Sequence, residues 1–261
     1  MIDRPLVFAD PLAVLIVGRD AVRELETNPA RFGGPTGTSL RGFLAVRSRV
    51  AEDALAAAVA RGGRQYVVVA AGLDTFAYRN PYSDLRVFEV DHPATQAWKR
   101  ERLRDVGIAE PPSATYVAAD LSKRDLGESL RAAGFDDHAP AFFGWLGTVP
   151  YLEPETVDAA LRSMAALSSR GGGVVFDYTA PPIGLTPERQ ASWDAFTERV
   201  RAIGEPIRSA LDPAGLTADL LGMGFTGAQD MDGPALTARY FAGRTDGLSV
   251  SGLGHVMLAT R

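Results

Sequence analysis

The sequence predicts an α/β chain: a doubly wound, Rossmann-like sheet of seven strands with a C-terminal antiparallel hairpin and N-terminal covering helices. Three observations predict it. The apolar runs YVVV (residues 66–69) and AFFGW (residues 141–145) read as strands, the second without polar alternation, as in a strand buried on both faces. Segments of helical composition lie between such runs, and strand–helix alternation marks a parallel sheet. A second strand (residues 86–91) ends on Asp91, about 20 residues after the small-residue turn Ala70-Ala71-Gly72. A tight turn that admits close backbone approach, followed by an acid able to accept from ribose hydroxyls, is the layout of a nucleoside pocket.

The elements follow in order. Asp10-Pro11 before LAVLIV reads as an N-cap and a proline at the first helical position. Residues 28–39 (NPARFGGPTGTS) read as a loop, with the composition of a movable cover. Residues 40–60 are helical and are stopped by Gly62-Gly63. After strands one and two come a helix over 93–107 and a third strand over 114–119, running to Asp120-Leu121. A helix over 123–134 leads to strand four, and a helix over 154–170 stops at Gly171-Gly172-Gly173 before strand five at 174–178. Helices over 187–203 and 217–223 follow, separated by the break Gly204-Glu205-Pro206. Weaker strands near 226–230 and 255–260 form the closing pair. This organisation is one domain over 1–261: a helical cover (1–62), a cofactor-binding half (63–180), and acceptor-side helices with closing strands (181–261).

Composition narrows the chemistry. With 46% hydrophobic and 23% charged residues in 261, the chain is an ordinary globule. A net charge of −5 lacks the basic footprint of a nucleic-acid partner. Cysteine is absent, which removes disulfides, iron–sulfur clusters and a thiol nucleophile. Three scattered histidines, His92, His138 and His255, make a metal site an unexpected reading. The early apolar run at 12–17 is far short of a membrane span and no leader pattern precedes it. The expectation is a cytoplasmic protein with a small-molecule acceptor and no membrane partner.

Gly72, Asp91 and Asp120 each follow a strand, and ligands of doubly wound sheets sit outside those strand ends. The turn reads A-A-G-L-D-T, not the glycine pattern that cradles a pyrophosphate. Asp74 in it repels a diphosphate and tolerates a cation, such as the amino group or sulfonium of S-adenosylmethionine. No Tyr-x-x-x-Lys pair supports an NAD(P)-dependent oxidoreductase, which stays as an alternative beside a non-catalytic S-adenosylmethionine-binding protein.

Six segments carry a resemblance. They are Arg47-Ser48-Arg49, AAGLDTFAYR (residues 70–79), VFEVDHP (87–93), AADL (118–121), WLGTVPYLEPE (145–155) and GEP (204–206). In this order the chain resembles the leucine carboxyl methyltransferase-like class I methyltransferases, including bacterial members that O-methylate polyketides and other small acids. The resemblance implies that Arg47, with Arg49 as the alternative, pairs with the cofactor carboxylate. It implies that Gly72 floors the methionine end, Asp91 holds the ribose, and Asp120 with Leu121 frames the adenine. Ala70 and His92 complete the candidate cofactor set. Two departures stand out: Ala70 where many relatives have glycine, and Leu146 where many have an acid.

Several of these residues have a plain structural use as well. An arginine on an amphipathic helix is usually a solvated charge. His92 before Pro93 is placed to cap a helix, and Trp145 to pack. Tyr151 and Tyr178 follow strands four and five and are the candidate substrate-binding residues, under a roof helix carrying Trp193, Phe196, Val200 and Ile203. No catalytic residue is legible, and no general base stands out. A carboxylate acceptor is ionised near neutral pH and needs none, whereas a phenol gains from one. The expected activity is therefore O-methylation of a carboxyl, or in second place a hydroxyl, of a small metabolite such as a polyketide.

Overall fold

The computed structural model describes residues 3–28, 34–120, 125–168 and 171–261. Seven strands form one sheet in the order β3-β2-β1-β4-β5-β7-β6. β1 (Gln65–Val69), β2 (Arg86–Asp91), β3 (Ala114–Ala118), β4 (Ala141–Trp145) and β5 (Gly173–Thr179) run parallel. β7 (Gly254–Thr260) runs antiparallel between β5 and β6 (Gly227–Met231). Every residue of β1, β4 and β5 is buried, which explains why their sequences show no alternation.

Helices cover both faces. On one side α6 (Leu126–Ala132), α7 (Pro154–Leu167) and α9 (Pro213–Gly222) pack Leu130, Leu161, Met164 and Leu220 against Phe88, Phe143 and Trp145. On the other, α3 (Gly34–Ala60), the short α4 (Phe76–Arg79) and α10 (Gly233–Tyr240) set Val46, Val50, Leu55, Phe76 and Leu236 against Val68, Phe142 and Val175. Each fully buried leucine of these layers contributes roughly 1.5–3 kcal/mol. α5 (Pro93–Asp105), α7, α8 (Pro187–Ala202), α9 and α10 all carry proline in their first two positions, where its missing N–H costs nothing. His92, Thr186, Asp212 and Asp232 cap four of these five with side-chain acceptors.

Two departures from the sequence reading concern the ends of the chain. The predicted loop over 28–39 is helical from Gly34 onward, because α3 begins there; residues 29–33 lie outside the described residues. The closing strands do pair antiparallel, but α10 stands between them in sequence. Near the N-terminus, α1 (Ala13–Val17) and α2 (Arg19–Thr27) precede α3. The Asp10 carboxylate accepts from the amides of Leu12 and Ala13 at 2.9 and 3.1 Å, but α1 starts at Ala13 with Leu12 at its N-cap, so Asp10 and Pro11 stand before the helix and not at its first positions. Thr75 also donates to Asp10 at 2.7 Å, and Arg79 binds Glu52 of α3, so the covering segment is tied to the turn after β1.

One buried ion pair lies beneath α5. Glu89 of β2 and Lys99 of α5 are each 1% exposed and meet at 2.8 Å. Burial pushes the Glu89 carboxyl up to about 7, against the pull of Lys99. Gln96 bridges the carbonyls of Glu89 and Val117 at 2.9 Å each, fastening the helix across β2 and β3. No helix among the described residues is long and apolar enough to cross a membrane.

Candidate cofactor and acceptor site

The carboxyl ends of β1, β2 and β4 converge with the N-terminal cover. Asp91 closes β2, and its carboxylate accepts from the amides of Gly72 and His92 at 2.6 Å each. These bonds hold the turn after β1 against the end of β2, and each oxygen keeps a lone pair for a ligand hydroxyl. Ala70 has φ 53° and Gly72 φ 48°, both left-handed; of these two only Ala70 carries a Cβ, so the strain of the turn falls there. Asp74 takes the Phe76 amide at 2.7 Å and starts α4. Asp120 lies half-buried two residues beyond β3 on the same edge. Leu121 lies outside the described residues.

His92 accepts the Ala94 amide on Nδ1 at 3.2 Å and caps α5, so that nitrogen is not free for a ligand. Trp145 is fully buried in the core, as a packing residue is. Arg49 pairs with Asp53 at 2.8 Å on the exposed face of α3 and stays away from the strand ends. Arg47 is the one that folds back over the sheet. Its Nη1 donates to Asp177 of β5 at 2.8 Å. A Cβ on Gly147, which has φ +78°, would stand 3.0 Å from Nη2, so only glycine leaves the guanidinium this room after β4. The other oxygen of Asp177 accepts the Gly147 amide at 2.5 Å. The Nε of Arg47 is buried with no partner among the described residues.

From Arg47, Gly147 and Asp177 a cavity of about 910 Å³ extends beneath α8 to β7. Leu40, Phe43, Leu44, Trp193, Phe196 and Ile207 give it apolar walls, and Tyr151, Tyr178 and Glu205 also line it. Of the roof residues anticipated from sequence, Trp193 and Phe196 reach this space, whereas Ile203 is 69% exposed. Tyr151 has no hydrogen-bond partner among the described residues; burial, then the field of Glu205, pushes its phenol up while Arg47 pulls it down. Tyr178 lines the same cavity, with its hydroxyl already engaged. Its hydroxyl donates to Asp230 of β6 at 2.8 Å, so it can offer a ligand only lone pairs. Burial first, and then Asp230, push its phenol well above the usual range.

Three polar residues of this region were not singled out from the sequence. Asp177 was visible as an acid inside the apolar run VVFDY. Asp230 and His255 were not visible as a pair. The Nδ1 of His255 lies 2.9 and 3.0 Å from the two oxygens of Asp230. Only the antiparallel register, which sets Tyr178 opposite His255 and Asp230 opposite Met257, brings the three together.

The fold is that of known methyltransferases. A structure from Thermobifida fusca YX, provisionally described as a methyltransferase, superposes with a TM-score of 0.60 at 18% identity, covering 95% of this chain and 91% of that one. Among sequences, a Mycolicibacterium gilvum protein provisionally named as an S-adenosyl-L-methionine-dependent methyltransferase is 36% identical over 71% of this chain and 56% of its own length. A similarly named Mycobacterium ulcerans protein is 32% identical over 90% of this chain and 70% of its own length. The chain thus spans little more than half of the first relative and about two thirds of the second. The family model described as leucine carboxyl methyltransferase matches residues 2–165. The chain belongs to that family, whose cofactor is S-adenosylmethionine.

The residues present fit that cofactor. Arg47 keeps Nε and Nη2, the fork that a carboxylate meets with two parallel bonds, because only Nη1 is used by Asp177. Gly72 leaves the turn open, with nothing nearer than 3.9 Å to a Cβ built there. Asp91 retains acceptor capacity at the neighbouring strand end.

Proposed function

We propose that the protein is an S-adenosylmethionine-dependent O-methyltransferase for a small, largely apolar metabolite of the polyketide kind. The observation that carries this reading is the cavity of about 910 Å³ that begins at Arg47 and Gly147 and continues under α8. That volume suits a drug-sized molecule, and apolar walls with a few polar groups are what such sites offer.

In this reading Arg47 holds the cofactor carboxylate, Asp91 the ribose hydroxyls, and Gly72 floors the methionine end, with Ala70 and Asp120 around the nucleoside. The bound cofactor supplies an activated methyl group, so the chain's work is alignment and exclusion of water. α8 covers the cavity, and Tyr151 offers a hydroxyl to the acceptor beside Arg47. Residues 1–62 act as the cover, 63–180 as the cofactor half and 181–261 as the acceptor side of one domain.

The family name favours a carboxyl oxygen. The lining favours a neutral one, because Asp177, Glu188, Glu205 and Asp232 outnumber Arg47 and Arg189. Formation of S-adenosylhomocysteine with a panel of aromatic acids and phenols tests the proposal. Calorimetry should show binding of S-adenosylmethionine and S-adenosylhomocysteine and none of NADH. Tight cofactor binding without turnover of any oxygen acceptor would make the chain a binding protein instead.

A further inference from the structure

The acceptor end of the cavity holds a histidine that the cofactor site does not use. His255 opens β7 and is paired in register with Tyr178 of β5. Asp230 grips its Nδ1 with both oxygens, and Tyr178 donates to one of those oxygens at 2.8 Å. A carboxylate in that position demands a proton on Nδ1. The lone pair of the neutral ring therefore sits on Nε2. That atom has no hydrogen-bond partner among the described residues and is not sealed from solvent, on a residue that lines the cavity. A base oriented by a carboxylate, itself oriented by a third group, is the arrangement that removes a proton from an attacking hydroxyl.

We propose that His255, held by Asp230 and Tyr178, is the general base for a hydroxyl acceptor, a phenol or enol. The assignment rests on the methyltransferase reading above and names its substrate class. As the acceptor oxygen bonds to the methyl carbon, its proton passes to Nε2 of His255. The carbon–sulfur bond of the donor breaks and its electron pair stays on sulfur, leaving a methyl ether, S-adenosylhomocysteine and an imidazolium. The imidazolium then returns its proton to solvent. The imidazolium is stabilised by Asp230; Glu188, Arg189 and Asp232 also line the cavity, and Asp212 and Asp232 both act on the Tyr178 phenol.

The protonation pattern is measured first and needs no turnover. With three histidines in the chain, the nitrogen resonances of His255 are identified by their loss in His255→Gln. Imidazole nitrogen NMR should find the neutral ring protonated on Nδ1 in the wild type and lose that preference in Asp230→Asn. A neutral ring protonated on Nε2 overturns the proposal. Turnover is then compared on un-ionised phenols, nitrophenols already ionised at the assay pH, and benzoic acids. His255→Gln should lose about 100-fold or more on un-ionised phenols, the scale of general-base catalysis. It should stay within a few-fold of wild type on ionised nitrophenols, because they bring no proton. Equal losses on both phenol classes mean that His255 only braces β6 against β7, and the proposal falls. Methylation of benzoic acids alone, unchanged in His255→Gln, also overturns it while leaving the methyltransferase reading intact. Failure to bind S-adenosylmethionine removes that reading instead.

Discussion

Arg47 of α3 and Asp177 of β5 are separated by 130 residues and joined at 2.8 Å. The pair joins the covering helix to the sheet, and both residues line the cavity of about 910 Å³ that runs under α8. Asp177 fixes one nitrogen of the guanidinium and leaves the fork beside it unused. Removing that fork should weaken S-adenosylmethionine binding by about 1.5–3 kcal/mol in Arg47→Ala, the scale of a hydrogen bond to a charged group. Arg47→Lys keeps the charge but not the planar pair of donors, so it should also bind more weakly than wild type. Calorimetry on the three proteins decides the matter; equal affinities would dismiss the carboxylate contact.

Asp91 has a double duty. Its carboxylate fastens the Gly72 turn and is the candidate ribose acceptor. Asp91→Ala should weaken S-adenosylmethionine binding by roughly 1.5–3 kcal/mol. Asp91→Asn should recover only part of this, since an amide offers one acceptor oxygen in place of two. Undiminished affinity in a folded Asp91→Ala protein removes the ribose role.

Ala70 occupies a backbone conformation that suits glycine. The strain of a Cβ at φ 53° outweighs the entropy glycine gains in the unfolded chain. Ala70→Gly should therefore stabilise the cofactor-free protein by about 0.5–1 kcal/mol. Urea unfolding measures this, and a loss of stability would mean that the turn is relaxed in solution.

The Glu89–Lys99 pair makes stability depend on pH. The folded-state value of Glu89, about 7, lies above its ordinary 4.5, because burial outweighs the attraction of Lys99. The protonated form is thus the one folding favours. The stability it contributes is full below pH 4.5 and is lost as pH rises through about 7. Urea midpoints of wild type relative to Glu89→Gln should fall across that window. A difference that is flat or rises with pH would show the pair to be ionised throughout.

How much of this was legible in the sequence depended on how local the signal was. AFFGW gave β4 to the residue, because a strand buried on both faces needs no partner to declare itself. Asp91 could be placed at the end of β2 because the strand and the acid are adjacent in sequence. α10 escaped notice: eight residues with Gly and Pro at the start resemble a turn, and it took the Asp232 cap and the buried Leu236 to make a helix of them. The His255, Asp230 and Tyr178 cluster was illegible for a different reason. Its members lie on three strands, and only a particular antiparallel register aligns them. The sequence preference for a carboxyl acceptor rested on the family resemblance and on finding no base, and the cavity contains a candidate base whose partners are scattered in the sequence.

The position of β7 also orders the protein's birth on the ribosome. Among the described strands β7 comes last in sequence, yet it lies inside the sheet, between β5 and β6. A nascent chain that has passed β5 already carries Gly72, Asp91 and Arg47, while the outer edge of β5 waits unpaired. An unpaired edge of buried apolar residues invites the wrong partner. Residues 254–260 close that edge and deliver His255 in the same event. The strand that covers the edge of β5 is thus also the strand that carries the candidate base.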